Sequence, residues 1–356
     1  MFYEMEKIIF KNKCEMKKYF YYFIAVIILS ACGDSGKIRV KEIPESKYES
    51  ITSVIWQKAD SGRFYYDLRA TESYFTFLDD KSDTIIRIYK RDNPHELYNY
   101  FVTKERNILD NKFQFLKTNT RNSTNENQLW IIENNISIRT INPENSAEEL
   151  LSAPASFPFK NLPLSVDFNL TKDEILAAPL SDSYRYNSPY YLYHPDSGYI
   201  RAEIHKHPDI KYPKVSLAYL TCLTVSEEAN SAVSAQRFMN DVLFYDLRGN
   251  LRSVATFGKG HIIPEIKDKT VDMDNSTKFF IYIFGTKKYV YCLYDGTTDY
   301  TANSKIIVFD WQGKHIKTYQ ADRCLKQIVV NETDTEIIAL AANEQYGRDV
   351  VRYQVK

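Results

Sequence analysis

The sequence predicts an all-β chain built as a six-bladed β-propeller, and three observations carry that reading. Tyr, Phe, Ile, Val and Thr recur in short alternating segments, with aromatics at 14% and 28 tyrosines, a composition that suits pleated, half-buried surfaces. Turn chemistry punctuates these segments at Asp79-Asp80, Asn134-Asn135, Pro195-Asp196-Ser197-Gly198, Arg248-Gly249-Asn250, Asp295-Gly296 and Gln312-Gly313-Lys314. A strand-and-turn unit also repeats. Val242-Leu243-Phe244-Tyr245-Asp246-Leu247-Arg248-Gly249-Asn250-Leu251 parallels Ile306-Ile307-Val308-Phe309-Asp310-Trp311-Gln312-Gly313-Lys314-His315, with the aspartates 64 positions apart. Tandem β-sandwiches, the rival architecture, would show no such repeat.

The repeated unit has a physical logic. In a strand ending Asp-x-x-Gly the carboxylate caps a tight turn and the glycine takes the left-handed position, as in the outer hairpin of a propeller blade. A degenerate third copy is Ile85-Ile86-Arg87-Ile88-Tyr89-Lys90-Arg91-Asp92-Asn93, where Lys90 replaces the Asp and Asn93 the Gly. Asparagine tolerates positive φ better than most residues, so the turn is expected to survive the exchange. Tyr89 and Tyr245 lie 156 residues apart, three periods of 52. About 310 residues at about 50 per repeat make six blades.

Taken in order, the chain opens with Lys17-Lys18, an 11-residue apolar run from Tyr19 to Leu29, and then Leu29-Ser30-Ala31-Cys32-Gly33. The run is too short for a membrane span and suits a signal peptide, and Leu-Ser-Ala-Cys fills all four positions of a lipobox. Residues 1–31 are therefore expected to be removed, and Cys32 to carry the lipid, a palmitate-type acyl anchor. The stretch before Met16 is long for a signal n-region, so Met16 or Met5 is the expected true start. Residues 32–43 read as the lipidated Cys and a polar tether, and 44–356 as the propeller. Expected strands cover Tyr74 to Leu78, Ile85 to Tyr89, Leu129 to Ile132, Tyr199 to Ile204, Val242 to Tyr245, Phe279 to Phe284, Tyr289 to Leu293, Ile306 to Phe309 and Glu336 to Ala341. Residues 92–108 and Ala147 to Leu151 could each hold a turn of helix.

Losing five lysines and three glutamates from a neutral chain leaves the mature protein at −2, with no basic block, so no nucleic-acid partner is expected. Beyond the lipid site the cysteines are Cys222, Cys292 and Cys324, without CxxC or Cys/His spacing. They read as three buried, reduced thiols, with one disulfide and a free thiol as the alternative.

Tyr289-Val290-Tyr291-Cys292-Leu293-Tyr294-Asp295-Gly296, a polar loop, and Lys305-Ile306-Ile307-Val308-Phe309-Asp310-Trp311-Gln312-Gly313-Lys314 resemble a recurring stretch of the TolB-like six-bladed propeller lipoproteins common in Bacteroides-type bacteria. The lipobox and the Asp246-to-Asn250 turn fit the same family. The resemblance extends over 45–356 and is specific over 241–330. It implies a six-bladed fold and an envelope location, and brings no catalytic residues or cofactor.

Three clusters are candidate sites. Glu203, His205 and His207 would share one face of a strand and could present metal ligands, but Lys206 and Pro208 favour an exposed strand end. Asp272-Met273-Asp274-Asn275-Ser276 opens like a calcium loop, yet the central Gly is missing and Ile283 stands where the bidentate Glu belongs, which favours a plain connecting loop. The tyrosine-rich run Ser181 to Tyr191 has a composition suited to sugar or protein recognition, or to covering a blade edge. No metal, cofactor or catalytic residue is assigned, and no G-x-S-x-G or P-loop occurs. The reading is a non-catalytic binding or scaffolding module held to the outer membrane by its lipid, with a glycan, peptide or envelope protein as partner. The alternative is a polysaccharide hydrolase or lyase on the same fold.

Overall fold

The computed structural model describes residues 38–58, 64–71, 73–79, 84–93, 95–102, 113–115, 129–133, 137–145, 157–158, 165–171, 174–179, 190–194, 197–201, 216–344 and 347–356. The chain divides into two compact units, residues 1–39 and Val40–Lys356. Cys32 and the signal segment lie outside the described residues, and nearly all the described strands belong to the second unit.

That unit is an all-β propeller. Among the described residues, six sheets of four or five strands follow one another, with one two-stranded ribbon, Ile266–Lys267 with Thr270–Val271. Numbered in chain order, the first strands of sheets I to VI are Tyr65–Ala70, Phe113–Phe115, Ser165–Leu170, Thr221–Ser226, Lys278–Gly285 and Leu325–Val330. Each sheet then meanders outward through antiparallel neighbours. From sheet III through IV, V, VI and I to II, the first strands of successive sheets pack against one another, which sets these strands around a common axis.

Sandwiching each sheet between two others explains the strand sequences. In Lys305–Asp310, Ile306 and Val308 join the core shared with sheet VI, while Ile307 and Phe309 join the core shared with sheet IV. Alternate side chains point to opposite faces and both faces are buried, so the strand reads as a continuous apolar run. Sheet I does the same, with Phe75, Phe77 and Tyr89 facing sheet VI and Leu78, Ile86 and Ile88 facing sheet II.

The N-terminal stretch forms a strap across three outer edges. Arg39–Ile43 is the fifth strand of sheet IV, Glu49–Ile51 pairs in parallel with His315–Ala321 of sheet V, and Val54–Gln57 pairs antiparallel with Arg348–Gln354 of sheet VI. The last of these closes the ring, because the other three strands of sheet VI come from the C-terminus.

Several expectations need correction. The tether expected over 32–43 is strand from Arg39 onward, because its residues find the unpaired edge of sheet IV. Within 92–108, Leu97–Val102 is the outer strand of sheet I and not helix, since it pairs with Thr84–Lys90. Asn93 does not take positive φ. Lacking the Asp, this turn widens to the residues between Lys90 and Leu97, and the Asn93 amide donates instead to Glu96 at 2.8 Å. Asp295-Gly296 is not a turn but a bulge inside Tyr289–Thr297, with Gly296 at φ 85°. Ala147 to Leu151, Asp80 and Asn134-Asn135 lie outside the described residues. The nine expected strands fall on observed ones, with Tyr199 to Ile204 described only to Arg201.

Candidate functional site

The two Asp-x-x-Gly turns form as the repeat predicts. Asp246 Oδ1 accepts from the Arg248 and Asn250 amides at 2.9 Å each, and Asp310 Oδ1 from Gln312 and Lys314 at 3.0 and 2.8 Å. Gly249 and Gly313 sit at φ 85° and 82°. Burial opposes the Asp246 charge, but the Asn250 side chain and the amides outweigh it and hold the carboxyl below its usual value.

At the ring axis the first strands share a second device. Each of four breaks register near its start, between Tyr65 and Asp67, Ser165 and Asp167, Phe280 and Tyr282, and Leu325 and Gln327. A bulge re-aims the side chain that follows it. The result is a polar network: the Gln327 amide donates to Asp67 Oδ1 at 2.6 Å and to the Tyr282 hydroxyl at 2.9 Å, and Arg69 Nη1 donates to the same hydroxyl at 2.9 Å. Asp67 also accepts from the Leu68 amide, and Asp167 from the Phe168 and Leu223 amides, at 2.8 to 2.9 Å. Arg69 is buried. Burial opposes its charge, yet Tyr282, Asp67 and Asp167 raise its pKa. Both carboxylates are spent on backbone and amide donors. This network ties sheets I, III, IV, V and VI together.

An open cavity of about 380 Å³ lies at the ring-closing seam between sheets VI and I. Trp56, Phe75, Arg91, Asp92, Glu336 and Arg352 supply its chemistry. Trp56, on the strap, meets Phe75 edge-on with centroids 4.5 Å apart. Arg91 lies over the Phe75 ring at 4.9 Å, donates to the Thr71 carbonyl at 3.0 Å and pairs with Glu336 at 3.5 Å. Arg352 pairs with the other oxygen of Glu336. Asn331 fixes the strand start by accepting the Glu336 amide at 3.0 Å.

Residues 231–333 match the family model described as TolB-like 6-blade propeller-like. That stretch, in sheets IV to VI, is TolB-like. Among solved structures, a member of the DUF4221 family from Bacteroides vulgatus is similar at 12% identity and TM-score 0.53, over 86% of this chain and 96% of its own. A Bacteroides fragilis protein described as exported is similar at 9% identity and TM-score 0.51, over 90% and 100%. At these identities the likeness shows the fold. No curated protein matches the chain.

Of the three candidate clusters, only the Asp272 loop lies wholly within the described residues. Glu203, His205 and His207 lie outside the described residues, as do Ser181 to Pro189. Tyr190 and Tyr191, at the end of that run, are core residues instead of exposed ones, with Tyr190 edge-on to Tyr245 at 5.3 Å. Asp272 spends its carboxylate within its own loop, accepting from the Asn275 amide and side chain. No disulfide joins the three cysteines: Cys222 and Cys292 are buried, and Cys324 is half-buried, donating to the Tyr300 carbonyl at 2.9 Å. Burial first, and Cys222 second, push the Cys292 thiol well above its ordinary pKa.

Proposed function

We propose that the protein is a lipid-anchored, six-bladed binding module of the bacterial envelope, held by Cys32 and non-catalytic, with its ligand site at the seam cavity. The observation that carries the binding reading is that cavity, in which Arg91, Glu336 and Arg352 are already ion-paired in place. Preorganised polar groups beside aromatic surface suit recognition. Six blades are supported by six sheets whose first strands begin about 50 residues apart. The envelope location is supported by the lipobox and by the Bacteroides fragilis neighbour described as an exported protein. Outer-membrane placement follows the same lipoprotein reading.

Metabolic labelling with an alkynyl palmitate, followed by fractionation, tests the anchor. The wild-type chain should carry label and sediment with membranes, while Cys32→Ala should lose both. Label retained on the variant would refute lipidation at Cys32. A soluble glycan or peptide that raises the melting temperature without being converted supports the non-catalytic module; released product would make it an enzyme.

A further inference from the structure

The lining of the seam cavity narrows the chemistry of what it holds, and this step rests on the binding reading above. Its four charged side chains cancel: Arg91 and Arg352 against Asp92 and Glu336. Neither an anion nor a cation gains a net partner there. An apolar ligand would strip water from four charged groups, which is costly. What remains is a neutral molecule rich in hydroxyls. We propose that the cavity binds a neutral saccharide of one or two pyranose rings.

The geometry supports this class in two ways. Glu336 lies between two guanidinium groups, and each pairing uses only part of its partners' capacity. An arginine has five N–H donors and a carboxylate about four acceptor sites, so donors and acceptors remain side by side for adjacent hydroxyls. Arg91 cannot swing freely, because it is held by the Thr71 carbonyl, the Phe75 ring and Glu336 together. Trp56 then supplies aromatic surface for the C–H face of a sugar ring. A volume of about 380 Å³ falls in the range of small-molecule sites.

The position of the cavity adds a consequence. Trp56 belongs to the N-terminal closing strand, Glu336 and Arg352 to the C-terminal strands of sheet VI, and Arg91 directly follows the Thr84–Lys90 strand of sheet I. A sugar seated there bridges the two ends of the ring and stabilises the folded state by mass action.

The test uses the full chain in detergent on an array of neutral mono- to tetrasaccharides, with acidic oligogalacturonates and a peptide library in parallel. Hits are followed by calorimetry and thermal shift. At least one neutral sugar should bind and raise the melting temperature. The double variant Arg352→Gln, Asp92→Asn, at two exposed positions, should weaken it tenfold or more and leave the unliganded melting temperature unchanged. Lys317→Gln on sheet V is the control and should bind normally. Neutral-sugar binding that survives the double variant overturns the assignment. If only an acidic sugar or a peptide binds, and the double variant abolishes it, the saccharide assignment falls while the cavity stands as the binding site. If the double variant affects no ligand in any set, both fall.

Discussion

Sheets IV to VI and sheets I to III are built on the same plan but finish their outer edges differently. In IV, V and VI the N-terminal strap adds a short strand to each outer edge, of five, three and four residues. In IV and V the outer hairpin also closes through the four-residue Asp-x-x-Gly turn. Sheet I has neither device: its outer strand Leu97–Val102 leaves Leu97, Tyr98 and Tyr100 exposed, and its hairpin runs through a wider loop. An edge strand is a row of unpaired backbone groups, and very short edge strands are one way to blunt it. The strap replaces three long edges with three short ones. Regularity in this molecule therefore follows edge protection, and the repeat is most legible where the edges are covered.

The strongest way to break the comparison is to attack what the two halves share. Arg69 belongs to sheet I, but its partners come from sheets I, III and V, and Gln327 of sheet VI joins the same network. Arg69→Met keeps the bulk and removes the charge that faces Asp67 and Asp167 at the axis. Breaking a buried charge network this way costs about 3–5 kcal/mol. Urea unfolding followed by tryptophan fluorescence and circular dichroism should show one cooperative transition at a lower midpoint. Two separated transitions, with IV to VI surviving, would mean that the strapped half is stable without the axis.

A smaller effect sharpens the comparison inside the strapped half. Gly249 and Gly313 hold the same φ in equivalent turns, so valine at either meets the same backbone strain, about 1 kcal/mol or more. The surroundings of Gly313 add to it. A Cβ there would approach Ser253 Oγ at 2.5 Å and the Phe244 ring at 2.8 Å, because the sheet V turn leans on sheet IV. The neighbouring Trp311 is buried in the same contact, its indole N–H donating to the Thr286 carbonyl at 3.0 Å. Gly313→Val should therefore lower the urea midpoint by more than turn strain of about 1 kcal/mol alone would. A loss no larger than that would mean that the turn strain alone decides, and normal stability in both Gly249→Val and Gly313→Val would refute the left-handed turns.

The legibility of each element in the sequence tracks these same contacts. Ile306 to Phe309 announces itself because two cores demand four apolar residues in a row. Tyr65–Ala70 does not, because Asp67 and Arg69 interrupt the pattern in order to build the axis. A signal is present there all the same: Tyr65-Tyr66-Asp67-Leu68 and Ser165-Val166-Asp167-Phe168 each put one carboxylate before a buried apolar residue at the start of a sheet. The strap is hidden by strands too short to show a period. Among the described residues five further left-handed positions escape a search for glycine, and Asn230 and Asp334 hold two of them, at φ 44° and 58°. The seam cavity has no local motif at all, since its lining runs from Trp56 to Arg352 and is assembled only when the ring closes.

The smallest predicted effect concerns pH and the strap. His315 begins the strand that Glu49–Ile51 pairs with, and its ring packs near Phe309 at 6.0 Å. Burial first, and the charge of Lys47 on the strap, lower its pKa below the ordinary 6.5, against a raising contribution from the Lys317 backbone. The sign follows directly. As pH falls below about 6.5 the unfolded chain takes up the proton before the folded one, so the folded state loses stability until the folded pKa is passed. Above 6.5 both states are neutral at this position and the contribution is constant. Melting temperatures measured between pH 5 and 7.5 should fall more steeply for the wild-type chain than for His315→Gln, and the two slopes should agree above pH 7. Lys47→Gln should recover part of the wild-type loss, because it removes a cation that opposes protonation. Identical slopes in all three proteins would show that the strap does not set the environment of His315.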